Sequence, residues 1–210
     1  MKGPNLDGKG RNYVGITVIA GDYGVILLGI GANLPSAFGP PRATCGAALV
    51  ALERAGVKIA ACSSWWNSAP VPASDQPWFV NAVVAIETEL DPARLLALLL
   101  KIERAFGRTR TGNANADRTL DLDVLDYHGR VSNDAEDPRL PHPRMEGRAF
   151  VVLPLLEIAP EWRHPANGLS IERLAGALPP GQAIFRMPPG AGRFGTEWEE
   201  GILPDLGRGP

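Results

Sequence analysis

The sequence predicts an α+β protein, a ferredoxin-like βαββαβ sandwich with additional C-terminal helices. Three observations carry this prediction. β-branched and apolar runs alternate with helical patterns in the order β-α-β-β-α-β, the two βαβ-type halves are about equal, and helical signals follow the last strand. The 210 residues, 45% apolar and 21% charged, suffice for one real core.

Residues 1–23 are Gly-rich and irregular and read as an N-terminal extension, in which VGITVIA (14–20) fits a short strand or a linker. VILLGIGANL (25–34) fits a buried strand running into a loop. Pro40 and Pro41 can start a helix, AALVALERA (47–55) continues it, and Gly56 can end it. VKIAACSSWW (57–66) reads as one strand. After the loop NSAPVPASDQP (67–77), WFVNAVVAIET (78–88) reads as the next. Asp91-Pro92 caps a helix with Leu95, Leu99, Ile102 and Phe106 on one face, and Gly107 can close it. GRTRTGNANADR (107–118) is a loop, followed by the strand LDLDVLDY. Short helices are expected around 147–157 and near 169–177. The expected domain spans 24–178, and 179–210 reads as a Pro- and Gly-rich C-terminal tail or loosely docked arm.

A net charge of −2 gives no global basic field for nucleic acid. Cys45 and Cys62 are too few for a disulfide scaffold and lack metal-type spacing, which suits buried thiols in a reducing compartment. No signal peptide is visible and no apolar run approaches membrane-spanning length, so a soluble cytoplasmic protein is expected. A monomer is the working expectation.

The chemistry centres on RTLDLDVLDY (118–127). Residues two apart on a strand share a face, so Asp121 and Asp123 project together, about 6–7 Å apart. Leu120, Leu122 and Val124 then face the core. Two acids so placed repel each other unless a cation lies between them, and Mg²⁺ suits one or two carboxylates plus substrate phosphates. A strand face with ordinary solvated acids is the plain alternative, because this spacing is common. Arg108, Arg110 and Arg118 precede the strand, and His142 and Arg148 follow it. Guanidinium forks match phosphate geometry, so the combination reads as a polyphosphate site. Asp126 falls out of phase with the pair and reads as strand-end or surface. Glu103, on the polar side of its helix, reads as a surface acid. Asn81 interrupts the apolar FVNAVVAI, with Phe79 two residues earlier on the same face. These are edge-strand and core positions, or a stacking and hydrogen-bonding pocket for a flat polar ring.

Five ordered segments add to this: LGIGANL (28–34), SSWWNSAPVPASDQPWFVNA (63–82), IERAFGR (102–108), RTLDLDVL (118–125) and LPHPRMEGRAFVVLPLLEIAP (140–160). On them the chain resembles the 6-hydroxymethyl-7,8-dihydropterin pyrophosphokinase family of folate biosynthesis, over roughly residues 24–178. The resemblance implies transfer of the β,γ-pyrophosphoryl group from ATP to the pterin hydroxymethyl, with release of AMP. It implies two Mg²⁺ ions on Asp121 and Asp123, with Asp121 nearest the pterin hydroxyl. It implies that Arg108, Arg118 and Arg148 grip the triphosphate, that Arg110 joins them from the loop, and that His142 donates to the phosphates. Glu103 matches a position near the nucleotide, and Val124 an apolar contact to adenine. The pterin is expected between Phe79 and Phe150 and hydrogen-bonded to Asn81, with backbone groups of Ser68, Ala69, Pro70 and Val71 reading its edge.

Two departures stand out. Ala32 replaces a serine common in the family, and Asn115 stands where some members place a tryptophan, so the loop is expected to close with different packing. A decayed pterin- or nucleotide-sensing module would have lost metal ligands or arginines, and all of these are present. An RNA-binding ferredoxin-like domain would show aromatics and basic residues without a metal acid pair. Another Mg-dependent nucleotidyl or phosphoryl transferase is the nearest alternative among enzymes.

Overall fold

Strand β1 (Ile26–Ala32) is apolar on both faces because it lies inside a sheet covered on both sides. β4 (Phe79–Glu87) and β5 (Asp121–Tyr127) flank it, both antiparallel. The computed structural model describes residues 25–108, 117–133, 135–198, 201 and 203–204. Among these residues the sheet runs β5-β1-β4-β3-β6, with β2 (Lys58–Cys62) also on β4. Helices α1 (Pro41–Arg54) and α2 (Pro92–Ala105) cover one face, and α3 (Ala149–Ile158) and α4 (Ile171–Gly176) cover the other.

The stretch expected as one strand over 57–66 is two. β2 and β3 (Trp66–Ser68) pair with opposite halves of β4. Ser63 keeps the join closed: its amide donates to Val83 O at 2.9 Å and its Oγ accepts from Val83 N at 3.0 Å. Counted as one broken strand, β2 and β3 complete the expected βαββαβ order, and α3 and α4 are the additional helices.

The helix signals act as read. Pro41 opens α1. Asp91 caps α2, its Oδ1 accepting from Arg94 N at 2.9 Å. Gly56 and Gly107 end the two helices at φ +89° and +86°, the left-handed region glycine enters freely. Leu95, Leu99 and Ile102 are fully buried, and each contributes about 1.5–3 kcal/mol relative to exposure.

Two expectations are corrected. Leu28 pairs with Val124 but Leu27 pairs with Asp126, so β5 carries a bulge. The bulge turns Leu125 and Asp126 to the same side. Leu125 joins the α3–α4 core, and Asp126 accepts from Trp162 Nε1 at 2.7 Å and Gly129 N at 3.0 Å. Asp126 is therefore buried and not a surface acid, because strict alternation fails across a bulge. The second correction concerns the loosely docked arm. Strand β6 (Ile184–Arg186) pairs with β3, and Phe194 is buried in the core on the α1–α2 side. Three strand residues and one aromatic are too few to show as periodicity. VGITVIA (14–20) lies outside the described residues. Among the described residues no helix is long and apolar enough to cross a membrane.

Candidate active site

The sheet register sets Asp121, Gly31, Asn81 and Trp66 in one row across β5, β1, β4 and β3. Asp123 stands opposite Gly29, one step along. Directly paired residues point to one face, so the two acids and the amide share the face that α3 covers further along. The glycines leave the floor between them bare. A Cβ on Gly31 would lie 2.6 Å from Asn81 Oδ1, so only glycine lets that amide lie where it does. Leu122 and Val124 point the other way, into the α1–α2 core. Val124 is buried there, so its side chain does not join the acids.

Asn81 is buried on an interior strand, and its Nδ2 donates to Ser68 Oγ at 2.9 Å. Phe79, half-buried, begins β4 opposite Ser68. Beyond Ser68 the chain continues through Ala69, whose amide donates to Ala183 O at 2.9 Å, then buried Pro70 and exposed Val71. Phe150, half-buried on α3, packs against the α3–α4 core, with the Arg148 guanidinium 5.4 Å from its ring centroid.

Two arginines clamp Asp121. Arg108 Nη1 donates to Oδ1 at 2.6 Å and Arg118 Nη1 to Oδ2 at 2.5 Å. Arg108 also pairs with Glu103. Glu103 is only 2% exposed and accepts from Leu122 N at 2.8 Å. The surface reading of Glu103 is thus corrected. The last turn of α2 leans on β5, which the helical pattern alone does not reveal. Burial pushes the Glu103 carboxyl up to about 7, against the pull of the Leu122 amide and Arg108.

Among the described residues Asp123 has no such clamp within hydrogen-bonding distance. His142 Nε2 lies 3.9 Å from its Oδ2, and the side chain is 41% exposed. Although the carboxyl tip reaches solvent, desolvation by the packed neighbours, then the Asp121 charge, push it up to about 6, while Arg148, Arg108 and Arg118 pull it down. A carboxylate whose charge the protein disfavours is one that a hard divalent cation would stabilise. Two carboxylates on one face are a donor set that fits Mg²⁺.

His142 is held beside β5 by its amide, which donates to Leu125 O at 2.8 Å. Its Nδ1 accepts from Arg144 N at 3.1 Å. That bond assigns the ring proton to Nε2, the edge turned towards Asp123. Burial, Arg148 and Arg144 hold the imidazole down to about 4, so at neutral pH it is a neutral donor. Arg148 is itself held below the usual guanidinium range by burial and by Arg144. Arg110 and Asn115 lie outside the described residues.

Three contributors went unread in the sequence. Gly29 and Gly31 clear the floor. Asn33, at the end of β1, links the two loops of the site: Oδ1 accepts from Arg118 N at 2.8 Å, and Nδ2 donates to Asp117 Oδ1 at 2.9 Å and Pro77 O at 3.2 Å. The signal was present in LGIGANL, since glycine inside a strand marks a close approach.

The profile of 7,8-dihydro-6-hydroxymethylpterin-pyrophosphokinase (HPPK) matches residues 27–160. The 2-amino-4-hydroxy-6-hydroxymethyldihydropteridine pyrophosphokinase of Synechocystis sp. is 38% identical over 149 residues, covering 70% of this chain and 73% of that protein. The enzyme of the same name from Pseudomonas aeruginosa is 38% identical over 164 residues, covering 78% and 96%. The folic acid synthesis protein fol1 of Pneumocystis carinii is 40% identical over 116 residues, but this chain spans only 15% of it. Among solved structures, wild-type HPPK-DHPS of Plasmodium falciparum superposes with a TM-score of 0.55 at 14% identity, over 73% of this chain and 44% of that one. That likeness bears on the fold alone. The chain belongs to the 7,8-dihydro-6-hydroxymethylpterin-pyrophosphokinase family, whose reaction is ATP-dependent transfer of pyrophosphate to hydroxymethyldihydropterin in folate biosynthesis.

Proposed function

We propose that Asp121 and Asp123 seat Mg²⁺ and the triphosphate of ATP, while Asn81, Ser68 and the backbone of Ala69, Pro70 and Val71 seat 6-hydroxymethyl-7,8-dihydropterin. The observation that carries this reading is the single row in which amide, bare glycine and acid stand side by side. A flat ring on the Asn81 side then presents its hydroxymethyl group towards the acids. The hydroxymethyl oxygen bonds to the β-phosphorus, the bond from that phosphorus to the α,β-bridging oxygen breaks, and AMP leaves with that oxygen. The hydroxyl proton passes to solvent water as the new bond forms, which balances the step.

On this reading Asp121 and Asp123 would hold two Mg²⁺ ions, which would polarise the phosphoryl oxygens and lower the pKa of the attacking hydroxyl. The protein supplies position and donors. Arg108 and Arg118 leave Asp121 for phosphate oxygens as ATP arrives, with Glu103 keeping Arg108 in reach. Arg148 and neutral His142 donate from beside Asp123, and Arg110 joins from the loop. Phe79 and Phe150 sandwich the pterin, and Val124 lies on the strand that borders the adenine. The reading includes a cytoplasmic monomer with no nucleic-acid or membrane partner, which the two buried free thiols suit.

Asn81→Ala should weaken pterin binding about tenfold, the loss expected for one buried hydrogen bond with its partner left behind. Gly31→Ala should do the same by displacing the Asn81 amide. Calorimetry with the pterin and, separately, with a non-hydrolysable ATP analogue reads both. Unaltered pterin affinity in both variants removes Asn81 from the pocket.

A further inference from the structure

Helix α1 is buried without a break over residues 43–52. A helix buried all round has a layer on each side. The sheet is one layer, and the C-terminal segment completes the cover on the other side, beside α2. Phe194 lies in the same core, and Thr196 packs on Gly46 so closely that a Cβ there would lie 2.1 Å from Thr196 Oγ1. Glycine is a poor residue inside a helix, and here its missing side chain is what admits the segment. Two ion pairs tie the same segment to α1, Arg42 to Glu197 at 2.5 Å and Arg193 to Glu53 at 2.6 Å.

From this anchor the hydrogen bonds lead to one place. Trp65, buried, donates from Nε1 to Phe194 O at 2.7 Å, and Trp65 O accepts from Met187 N at 2.8 Å. β6 pairs residue by residue with β3, Ser68 opposite Ile184, and Ala69 N reaches Ala183 O. β3 has only three residues and would otherwise be a short edge strand. Its last residue, Ser68, is the one that receives the Asn81 amide. Residues 183–196 lie beyond the family match, which ends at 160.

We infer that the C-terminal segment, anchored on α1, is a brace that fixes β3 and the first residues of the pterin loop, with Trp65 and Thr196 as positioning residues for pterin binding, an inference that rests on the assignment of Ser68 and Asn81 to the pterin. Gly46→Ala forces Thr196 off the helix, and Trp65→Phe removes the indole donor while keeping a ring in the core. Both are made in the full chain and read by hydrogen exchange over 63–72, by calorimetric pterin affinity and by steady-state kinetics. Exchange should quicken over 63–72 and pterin Kd should rise roughly three- to tenfold, the range of one lost hydrogen bond. The KM for ATP and kcat at saturating pterin should stay within about twofold, as expected when only substrate positioning is lost. Thr196→Gly added to Gly46→Ala makes room for the new methyl and should restore both pterin affinity and slow exchange. Unchanged exchange in both single variants overturns the brace. Faster exchange with unchanged pterin Kd, where Asn81→Ala does weaken pterin, overturns the positioning role. If Asn81→Ala also leaves pterin affinity untouched, the pterin assignment itself fails and the inference with it.

Discussion

Asp123→Ala should lower kcat by roughly a thousandfold or more while leaving the protein as stable as before, or more stable. The loss follows from the proposed role of Asp123 as a cation ligand beside the transferring group, where several kcal/mol of transition-state stabilisation is at stake, each 1.4 kcal/mol about tenfold. The gain in stability follows from the direction of the pKa. The folded protein raises the Asp123 carboxyl from 3.8 to about 6, so it favours the protonated form. That contribution to stability is full below pH 3.8 and is lost as pH rises through about 6. At pH 7.5 the ionised side chain is a burden that the alanine variant lacks. Scanning calorimetry without added metal should show an equal or higher Tm for the variant, and AMP release should be nearly absent. Near-wild-type turnover in the variant would show that Asp123 is not a metal ligand.

Glu103→Ala should give the opposite signature. Glu103 is buried and accepts from both Arg108 and the Leu122 amide. Its removal leaves the buried Leu122 amide without its acceptor and takes one of two carboxylates from Arg108, a loss of about 1–3 kcal/mol. Tm should fall sharply. kcat should fall far less than in Asp123→Ala, because Asp121 and Asp123 both remain and Arg108, once ATP is bound, is held by the phosphate oxygens it donates to. Glu103→Gln isolates the titration. With the folded carboxyl raised from 4.5 to about 7, its contribution to stability is full below pH 4.5 and is lost as pH rises through 7. The Tm difference, wild type minus Glu103→Gln, should therefore move in favour of the variant between pH 5.5 and 8.5. A difference that is flat with pH would place the Glu103 pKa elsewhere.

The sequence shows the frame of the site because β-strand alternation and helix caps are local. Asp121 and Asp123 share a face, Leu122 and Val124 face the core, and α2 begins at its Asp91 cap, all as the local pattern dictates. What was missed depends on contacts far apart in the chain. The burial of Asp126 needs the bulge on β5 and the indole of Trp162, 36 residues away. The burial of Glu103 needs β5 laid against the end of α2. Gly31 gains its meaning only when Asn81 lies beside it, and Gly46 only when Thr196 lies on it. The docking of the C-terminal segment rests on Phe194, Trp65 and a three-residue strand, too little for any window of periodicity to detect.

This row of residues is expected to direct transfer of pyrophosphate and not of a single phosphoryl group. The direct measurement is to mix the purified protein with Mg-ATP and 6-hydroxymethyl-7,8-dihydropterin and follow the nucleotide and pterin products by phosphorus NMR. Attack at the β-phosphorus predicts AMP and the pterin diphosphate in equal amounts. ADP with a pterin monophosphate would contradict it, and would make the protein an ordinary kinase.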